Sequence, residues 1–136
     1  MPVMTDPSED VRNNAMRTLL VFADTVPNVN GRSLPRIPFA PFIEFLHSPV
    51  WSDRNKASWA LVALSANRDQ ELLARLRTQA LTPLVEMARW KSAGHALAAF
   101  LILGRIAGYS DEAAITLWDR GDREAVISAA IKNAVR

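Results

Sequence analysis

The chain has 136 residues, a formal net charge of +2, and a composition that is 49% hydrophobic and 22% charged. These values are ordinary for a folded domain and exclude disorder along the whole chain. The sequence contains no cysteine, which excludes disulfides and thiolate chemistry. No apolar run is long enough to cross a bilayer, and the acidic start is unlike a signal peptide, so we expect a cytoplasmic protein without membrane contact.

The first predicted helix runs from about Ser8 to Asp24, and the acidic residues in its first turn favour that start. Its main apolar stripe consists of Val11, Ala15, Leu19, Phe22 and Ala23. Further apolar surface beside the stripe comes from Met16, Leu20 and Val21. Because uncovered apolar surface favours association, we predict a homodimer in which Met16, Leu20 and Val21 meet a second copy. Alternatively, further repeats outside this chain, or the segment that follows the helix, cover this apolar surface.

The segment from Val26 to Pro38 contains Pro27, Gly31 and Pro35, and this composition predicts a long loop. A short helix is expected from about Phe39 to His47, where Ser48-Pro49 ends it. Ser52 or Asp53 is then expected to cap the helix that carries Trp59.

The second half of the chain predicts five helices with clear starts and stops. Gln70 to Gln79 forms one, and Pro83 lies in the first turn of the next. Ser92 is the expected cap of a helix that reaches about Ala107, and Ser110 or Asp111 caps the helix that stops at Gly121. A last helix covers about Asp122 to Ala134. No stretch requires a strand, so we predict an all-α fold with seven to eight helices.

Three alanines occupy similar positions in the apolar faces of three predicted helices. These alanines, Ala15, Ala57 and Ala96, are 42 and 39 residues apart, a spacing typical of helical repeats. In the stretch from Lys56 to Arg89, an alanine and a Trp-Ala-Leu run precede a short link, a helix, and a small-residue turn with Pro and Leu-Val. The residues that carry this pattern are Ala57, Trp59, Ala60, Leu61, Gln70 to Gln79, Ala80, Leu81, Pro83, Leu84 and Val85. This stretch resembles one armadillo repeat, and HEAT repeats are similar enough that the subtype stays open.

The resemblance implies a fold and a kind of function. It implies one domain over residues 1–136, folded as a right-handed α-α superhelix of about three repeats. It also implies a protein or peptide partner bound along a concave groove. The groove residues would be Arg17, Val21, Lys56, Trp59, Ala63, His95, Ala98 and Ile102. Peptide-binding armadillo proteins carry an asparagine where this chain has Ala63, which argues against nuclear-signal peptides. The plain alternative for Trp59 is that it covers the core.

Catalytic and metal-binding patterns are weak in this sequence. His47 and His95 lie on different helices, and neither has a carboxylate or a second imidazole four residues later. We therefore expect no enzyme activity, no metal and no cofactor. The main rival function is nucleic-acid binding, because residues 26–109 hold ten Lys/Arg and five Asp/Glu. Those charges are scattered, so a solvated surface is their simpler interpretation.

Overall fold

The computed structural model describes residues 2–25 and 37–134, without the side chains of residues 2, 3, 20 and 22–25. The described residues form a 3-10 helix, Pro2–Thr5, eight α-helices and no strand, which confirms the all-α prediction. The helices are α1 (Glu9–Thr25), α2 (Ala40–Phe45), α3 (Trp51–Leu64), α4 (Gln70–Gln79), α5 (Leu81–Ala88), α6 (Ala93–Ile106), α7 (Asp111–Asp119) and α8 (Arg123–Ala134). Within this described part, no helix combines the length and the apolar character needed to cross a membrane. Most of the predicted loop, residues 26–36, lies outside the described residues.

By its internal contacts the chain divides into an amino-terminal unit, Met1–Leu64, and a carboxy-terminal unit, Ser65–Arg136. In the amino-terminal unit, α1 and α2 both pack on α3, and the 3-10 helix packs on α1. Large apolar side chains from every element fill the interior of this unit. The buried ones are Met4, Met16, Phe42, Ile43, Leu46, Ala57, Ala60 and Leu61.

The buried face of α1 differs from the predicted stripe. Met16 is completely buried, whereas Val11 is 39% exposed, so the prediction that Met16 lies beside the core and Val11 faces it is wrong. The physical reason lies in Arg12, whose guanidinium pairs with the buried carboxylate of Asp53 on α3. This pairing turns the side of the helix that carries Arg12 and Met16 toward α3, since residues four apart lie on one face.

The start of α3 also differs from the prediction, because the helix begins at Trp51, ahead of both expected caps. The hydroxyl of Ser52 donates to a carboxylate oxygen of Glu9 on α1, and Asp53 accepts from Arg12. Both side chains therefore join two helices instead of closing the end of one.

The carboxy-terminal unit is built around α6, which packs against α4, α5, α7 and α8. Nine of its residues are buried, from Ala96 to Ile106. Gly104 permits a close approach of α7, because a methyl group added there would lie 3.1 Å from Cβ of Ala114. Small residues on α6 thus let neighbouring helices come close to its backbone.

An aromatic stack joins three helices of this unit. The ring of Phe100 on α6 is completely buried, with its centroid 5.0 Å from that of Trp118 on α7. The guanidinium carbon of Arg123 lies 3.9 Å from the centre of the Trp118 ring, a cation–π geometry. Nη1 of Arg123 also donates to the carbonyl oxygens of Trp90 and Ala88, at 2.7 and 3.3 Å. The stack fixes the start of α8.

Of the predicted caps in this unit, Ser110 makes its cap hydrogen bond, whereas Ser92 stands at the N-cap of α6 without one. The hydroxyl of Ser110 accepts a hydrogen bond from the backbone N–H of Ala113, 3.1 Å away, at the start of α7. The carboxylate of Asp69 caps α4 in the same way, at 2.9 Å from the N–H of Leu72. Gly121 follows α7 with φ of +75°, a conformation that favours glycine and ends the helix there.

Five hydrogen-bonded pairs inside the units join residues 40 to 43 positions apart, whereas other pairs of the carboxy-terminal unit are 26 to 35 positions apart. In the amino-terminal unit, Arg12 binds Asp53 and Ser52 binds Glu9, at separations of 41 and 43 residues. In the carboxy-terminal unit the separations are 40 to 43 residues, and the pairs are Arg105 with Ser65, Arg68 with Tyr109 and Arg68 with Asp111. The spacing is close to the period of the three alanines. The superhelix and its repeats stay predictions.

Candidate functional site

The predicted groove residues of the amino-terminal unit lie on α1 and α3, which pack on each other. Arg17 is exposed, and Val21 is 59% exposed. On α3, Trp59 is 37% exposed, while Lys56 and Ala63 are half-buried. All five side chains therefore reach the surface, and Val21 and Trp59 are the large apolar ones among them.

The predicted groove residues of α6 lie in two different environments. His95 is exposed, and its ring makes an edge-on contact with Trp90 at 6.4 Å between centroids. Ala98 is 1% exposed and Ile102 is fully buried, so the expectation that they line an open groove is corrected. Their side chains pack inside the unit because α6 has neighbours in four other helices.

The predicted self-association surface on α1 is smaller than expected. Met16 is completely buried and cannot meet a partner without unpacking the unit. The side chain of Leu20 lies outside the described residues. Val21 is left as the described contributor to that surface.

A buried ion pair links α1 and α3, and sequence reasoning did not find it. Asp53 is 2% exposed, and its two carboxylate oxygens lie 3.1 Å from Nε and 3.0 Å from Nη2 of Arg12. The hydroxyl of Ser48 donates to Oδ2 of Asp53 at 3.0 Å. Nη1 of Arg12 donates to the carbonyl oxygens of Asp6 and Pro7, at 2.7 and 3.0 Å. This cluster binds the first residues of the chain, α1 and α3 together.

A cavity of about 620 Å³ lies against this cluster in the amino-terminal unit. Its lining includes Arg12, Ser48 and Asp53 on one side and the exposed Glu44 and His47 at its edge. The Ser48 hydroxyl both donates to Asp53 and accepts from the N–H of Val50, at 3.1 Å. Ser48 therefore serves the structural cluster, since its hydrogen bonds hold the turn before α3.

A second cavity, of about 470 Å³, lies in the carboxy-terminal unit and is lined by three arginines. Arg68 precedes α4, Arg77 lies on α4, and Arg105 lies near the end of α6. None of the eight residues that line this cavity is acidic. We call it the three-arginine cavity, and its lining makes it a candidate anion-binding site.

Two of these arginines share one carboxylate. The Asp111 oxygens lie 3.0 Å from Nε of Arg105, 2.8 Å from its Nη2 and 3.3 Å from Nη2 of Arg68. Nη1 of Arg105 also donates to the buried hydroxyl of Ser65 at 2.8 Å, and Nη2 of Arg68 donates to the carbonyl oxygen of Tyr109 at 2.6 Å. The guanidinium groups of Arg68 and Arg105 are therefore held in fixed positions.

The hydrogen bond from Arg105, with the charges of Arg105 and Arg68, lowers the pKa of Asp111 below its ordinary value of 3.8, although partial burial opposes the shift. A carboxylate with a lowered pKa stabilises the fold above its unfolded pKa, and this stabilisation is lost as the pH falls through the folded pKa. The stability that Asp111 supplies is therefore present at neutral pH and disappears below pH 3.8.

The variant Asp111→Asn tests this linkage. It should be less stable than the wild type at neutral pH, because it lacks the charged acceptor, and the difference should shrink once the pH falls below 3.8. Urea midpoints of both proteins, measured from about pH 5 down to about pH 2, give the comparison. A constant difference across that range would show that the Asp111 charge does not stabilise the fold.

From the sequence, the three arginines of the cavity were interpreted as scattered surface charges, and no shared site was predicted for them. The sequence does contain one indication that Arg105 is buried and paired, because Arg105 directly follows the apolar run that ends at Gly104. A charge inside an apolar helix face needs a partner, and Asp111 follows it by six residues.

No group of three or more His, Cys, Asp or Glu side chains that could hold a metal ion occurs within residues 2–25 and 37–134. Comparisons with protein-family models, with curated proteins and with solved structures found no match for this chain.

Proposed function

We propose that this chain is a non-enzymatic interaction or scaffold module that binds a partner protein or peptide along the predicted concave groove, through the side of α3 that carries Trp59. The observation that carries the proposal is the exposure of Trp59, whose neighbours Ser58 and Ala60 are completely buried. Tryptophan is enriched where proteins meet, because its indole offers a large apolar area and one hydrogen-bond donor.

Lys56, Trp59 and Ala63 are three and four residues apart on α3, so they follow one another along one side of the helix. We call them the Trp59 strip. A partner that suits this strip presents an apolar pocket for the indole and a carboxylate opposite Lys56.

The spacing of Ala15, Ala57 and Ala96 supports the armadillo or HEAT-like part of the proposal, because 42 and 39 residues are close to the period of such repeats. In such proteins successive helices present a continuous binding surface. We place the protein in the cytoplasm under the same proposal, as the sequence predicts.

A photo-crosslinking experiment tests the Trp59 strip. p-Benzoylphenylalanine replaces Trp59 in one variant, and in the control it replaces Thr116, which is exposed on α7. Irradiation in an extract of the native cells should give a discrete adduct from position 59 and none from position 116. Trp59→Ala should then weaken binding of the identified partner about 30-fold, as expected when an interface tryptophan is truncated.

Equal labelling at both positions, or an unchanged affinity in Trp59→Ala, would contradict the proposal. The predicted homodimer through α1 stays a prediction and now rests on Leu20 and Val21, since Met16 is buried. Sedimentation that shows only monomer at high micromolar concentration would contradict the predicted homodimer.

Nucleic-acid binding is the alternative function, and the excess of basic residues in the middle of the chain supports it.

A further inference from the structure

The three-arginine cavity has a pronounced charge imbalance. Arg68 and Arg105 both pair with the carboxylate of Asp111, and none of the residues that line the cavity is acidic. Arg77 adds another positive charge, and it makes no ion pair or hydrogen bond with the part of the chain that the structure describes. The three guanidinium groups therefore give the cavity lining an excess of positive charge, which an anion with two negative charges would reduce.

The cavity also has rigid walls on its basic side. The Arg105 side chain is only 5% exposed and is fixed by Asp111 and Ser65. Arg68 has φ of +55°, a strained conformation for a residue with a side chain, and its guanidinium is fixed by Tyr109 and Asp111. Strained backbone beside a cavity is typical of binding sites, because surrounding contacts must hold it in place.

The rest of the lining mixes apolar side chains with one amide. Leu73 of α4 and Ile106 of α6 lie in it, together with Gln70 at the start of α4. The volume of about 470 Å³ lies in the range of small-ligand pockets and exceeds what a phosphate ion alone would fill. The apolar walls therefore suit an organic group attached to the anion.

From this arrangement we infer that the three-arginine cavity binds the phosphate group of a phosphomonoester. A phosphomonoester carries nearly two negative charges at neutral pH, and guanidinium groups match its oxygens in pairs. Arg105 and Arg68 supply a fixed positive field, and Arg77, exposed on α4, closes on the phosphate oxygens. The cavity belongs to the carboxy-terminal unit, and the Trp59 strip belongs to the amino-terminal unit.

Calorimetric titration of the full chain with phenyl phosphate and with benzenesulfonate tests the inference. Both probes carry one aromatic ring, but only phenyl phosphate is close to a dianion. Phenyl phosphate should bind about tenfold more tightly than benzenesulfonate, a factor that corresponds to one further charged contact. Absence of phenyl phosphate binding, or equal binding of the two probes, would overturn the inference.

Two variants on α4 locate the binding. Arg77→Gln should weaken phenyl phosphate binding about tenfold, because it removes a guanidinium from the cavity. Arg75→Gln is the matched control, since Arg75 is an exposed arginine on the same helix that pairs with Glu71. Arg75→Gln should bind phenyl phosphate as tightly as the wild type does. Both changes are at exposed positions, so helical circular dichroism should stay unchanged, and an equal loss in both variants would mean nonspecific attraction.

Two competing ligands identify the source of the phosphate. If a phosphoserine peptide displaces phenyl phosphate, the natural ligand is assigned to a phosphorylated protein partner. If the peptide fails to displace it, the natural ligand is assigned to a free phosphorylated metabolite. Both results support the site. A single-stranded oligonucleotide without terminal phosphates should compete poorly. Tight, Arg77-dependent binding of that oligonucleotide would overturn the inference in favour of phosphodiester recognition.

Discussion

Replacing Arg12 by methionine should lower the free energy of unfolding of the amino-terminal unit by about 3–5 kcal/mol. The substitution keeps a long apolar side chain but leaves the Asp53 carboxylate, which is 3% exposed, without its cation. It also removes the donors that bind the carbonyl oxygens of Asp6 and Pro7. Urea unfolding followed by far-ultraviolet circular dichroism and tryptophan fluorescence measures the loss, since Trp51 and Trp59 belong to this unit.

Arg17→Met is the matched control, because Arg17 is an exposed arginine on the same helix. We expect it to change the stability by no more than about 0.5 kcal/mol. The double variant Arg12→Met with Asp53→Leu should recover most of the loss, since it removes the unpaired carboxylate as well. If Arg12→Met were as stable as Arg17→Met, the ion pair would not hold α1 on α3.

Replacing Phe100 by alanine should destabilise the carboxy-terminal unit by about 3–5 kcal/mol. The ring is completely buried in α6, and its loss leaves a cavity beside Trp118. Trp118 would then be free to move away from Arg123, so its fluorescence should shift as the stack loosens. Urea unfolding gives the stability, and the emission maximum reports on the stack.

Phe100→Leu keeps much of the side-chain volume and serves as the comparison. It should lose less than half as much stability as Phe100→Ala, because a smaller void is left next to Trp118. Equal losses in the two variants would indicate that the aromatic contact matters more than the filled volume. A Phe100→Ala protein as stable as the wild type would contradict the central place of α6 in the core.

The helices of the carboxy-terminal unit were largely predictable from the sequence, because their ends depend on local chemistry. Asp69 and Ser110 cap α4 and α7 through hydrogen bonds to residues three positions later. Gly121 ends α7 through its own backbone conformation. Signals of this kind lie within a few residues of the helix end, so a single sequence contains them.

The amino-terminal unit was less predictable because a long-range contact determines its details. Hydrophobic periodicity alone placed Val11 in the core and Met16 beside it, but the pairing of Arg12 with Asp53 reverses the two. The same contact involves Asp53 in the first turn of α3, where sequence reasoning expected a helix cap. Residues 41 positions apart give no local signal, and tertiary contacts override the periodicity of one helix.

The candidate sites were likewise predictable only where local sequence determines the position of a residue. The resemblance to armadillo repeats implied a groove position for Trp59, which is exposed, whereas Ala98 and Ile102 are buried because other helices surround α6. Sequence reasoning described Arg77 as a surface residue, and it is exposed. Its place in one cavity with Arg68 and Arg105 depends on the packing of α4 on α6, which the sequence alone did not specify.

The enclosure of α6 by four other helices has a consequence for how the carboxy-terminal unit opens. The amide hydrogens in the middle of α6 are covered by packed side chains from α4, α5, α7 and α8, so a local fluctuation of one helix end cannot expose them to solvent. Their exchange with deuterium then requires the cooperative opening of the whole unit. The slowest amides of α6 would therefore report the global free energy of opening of residues 65–136.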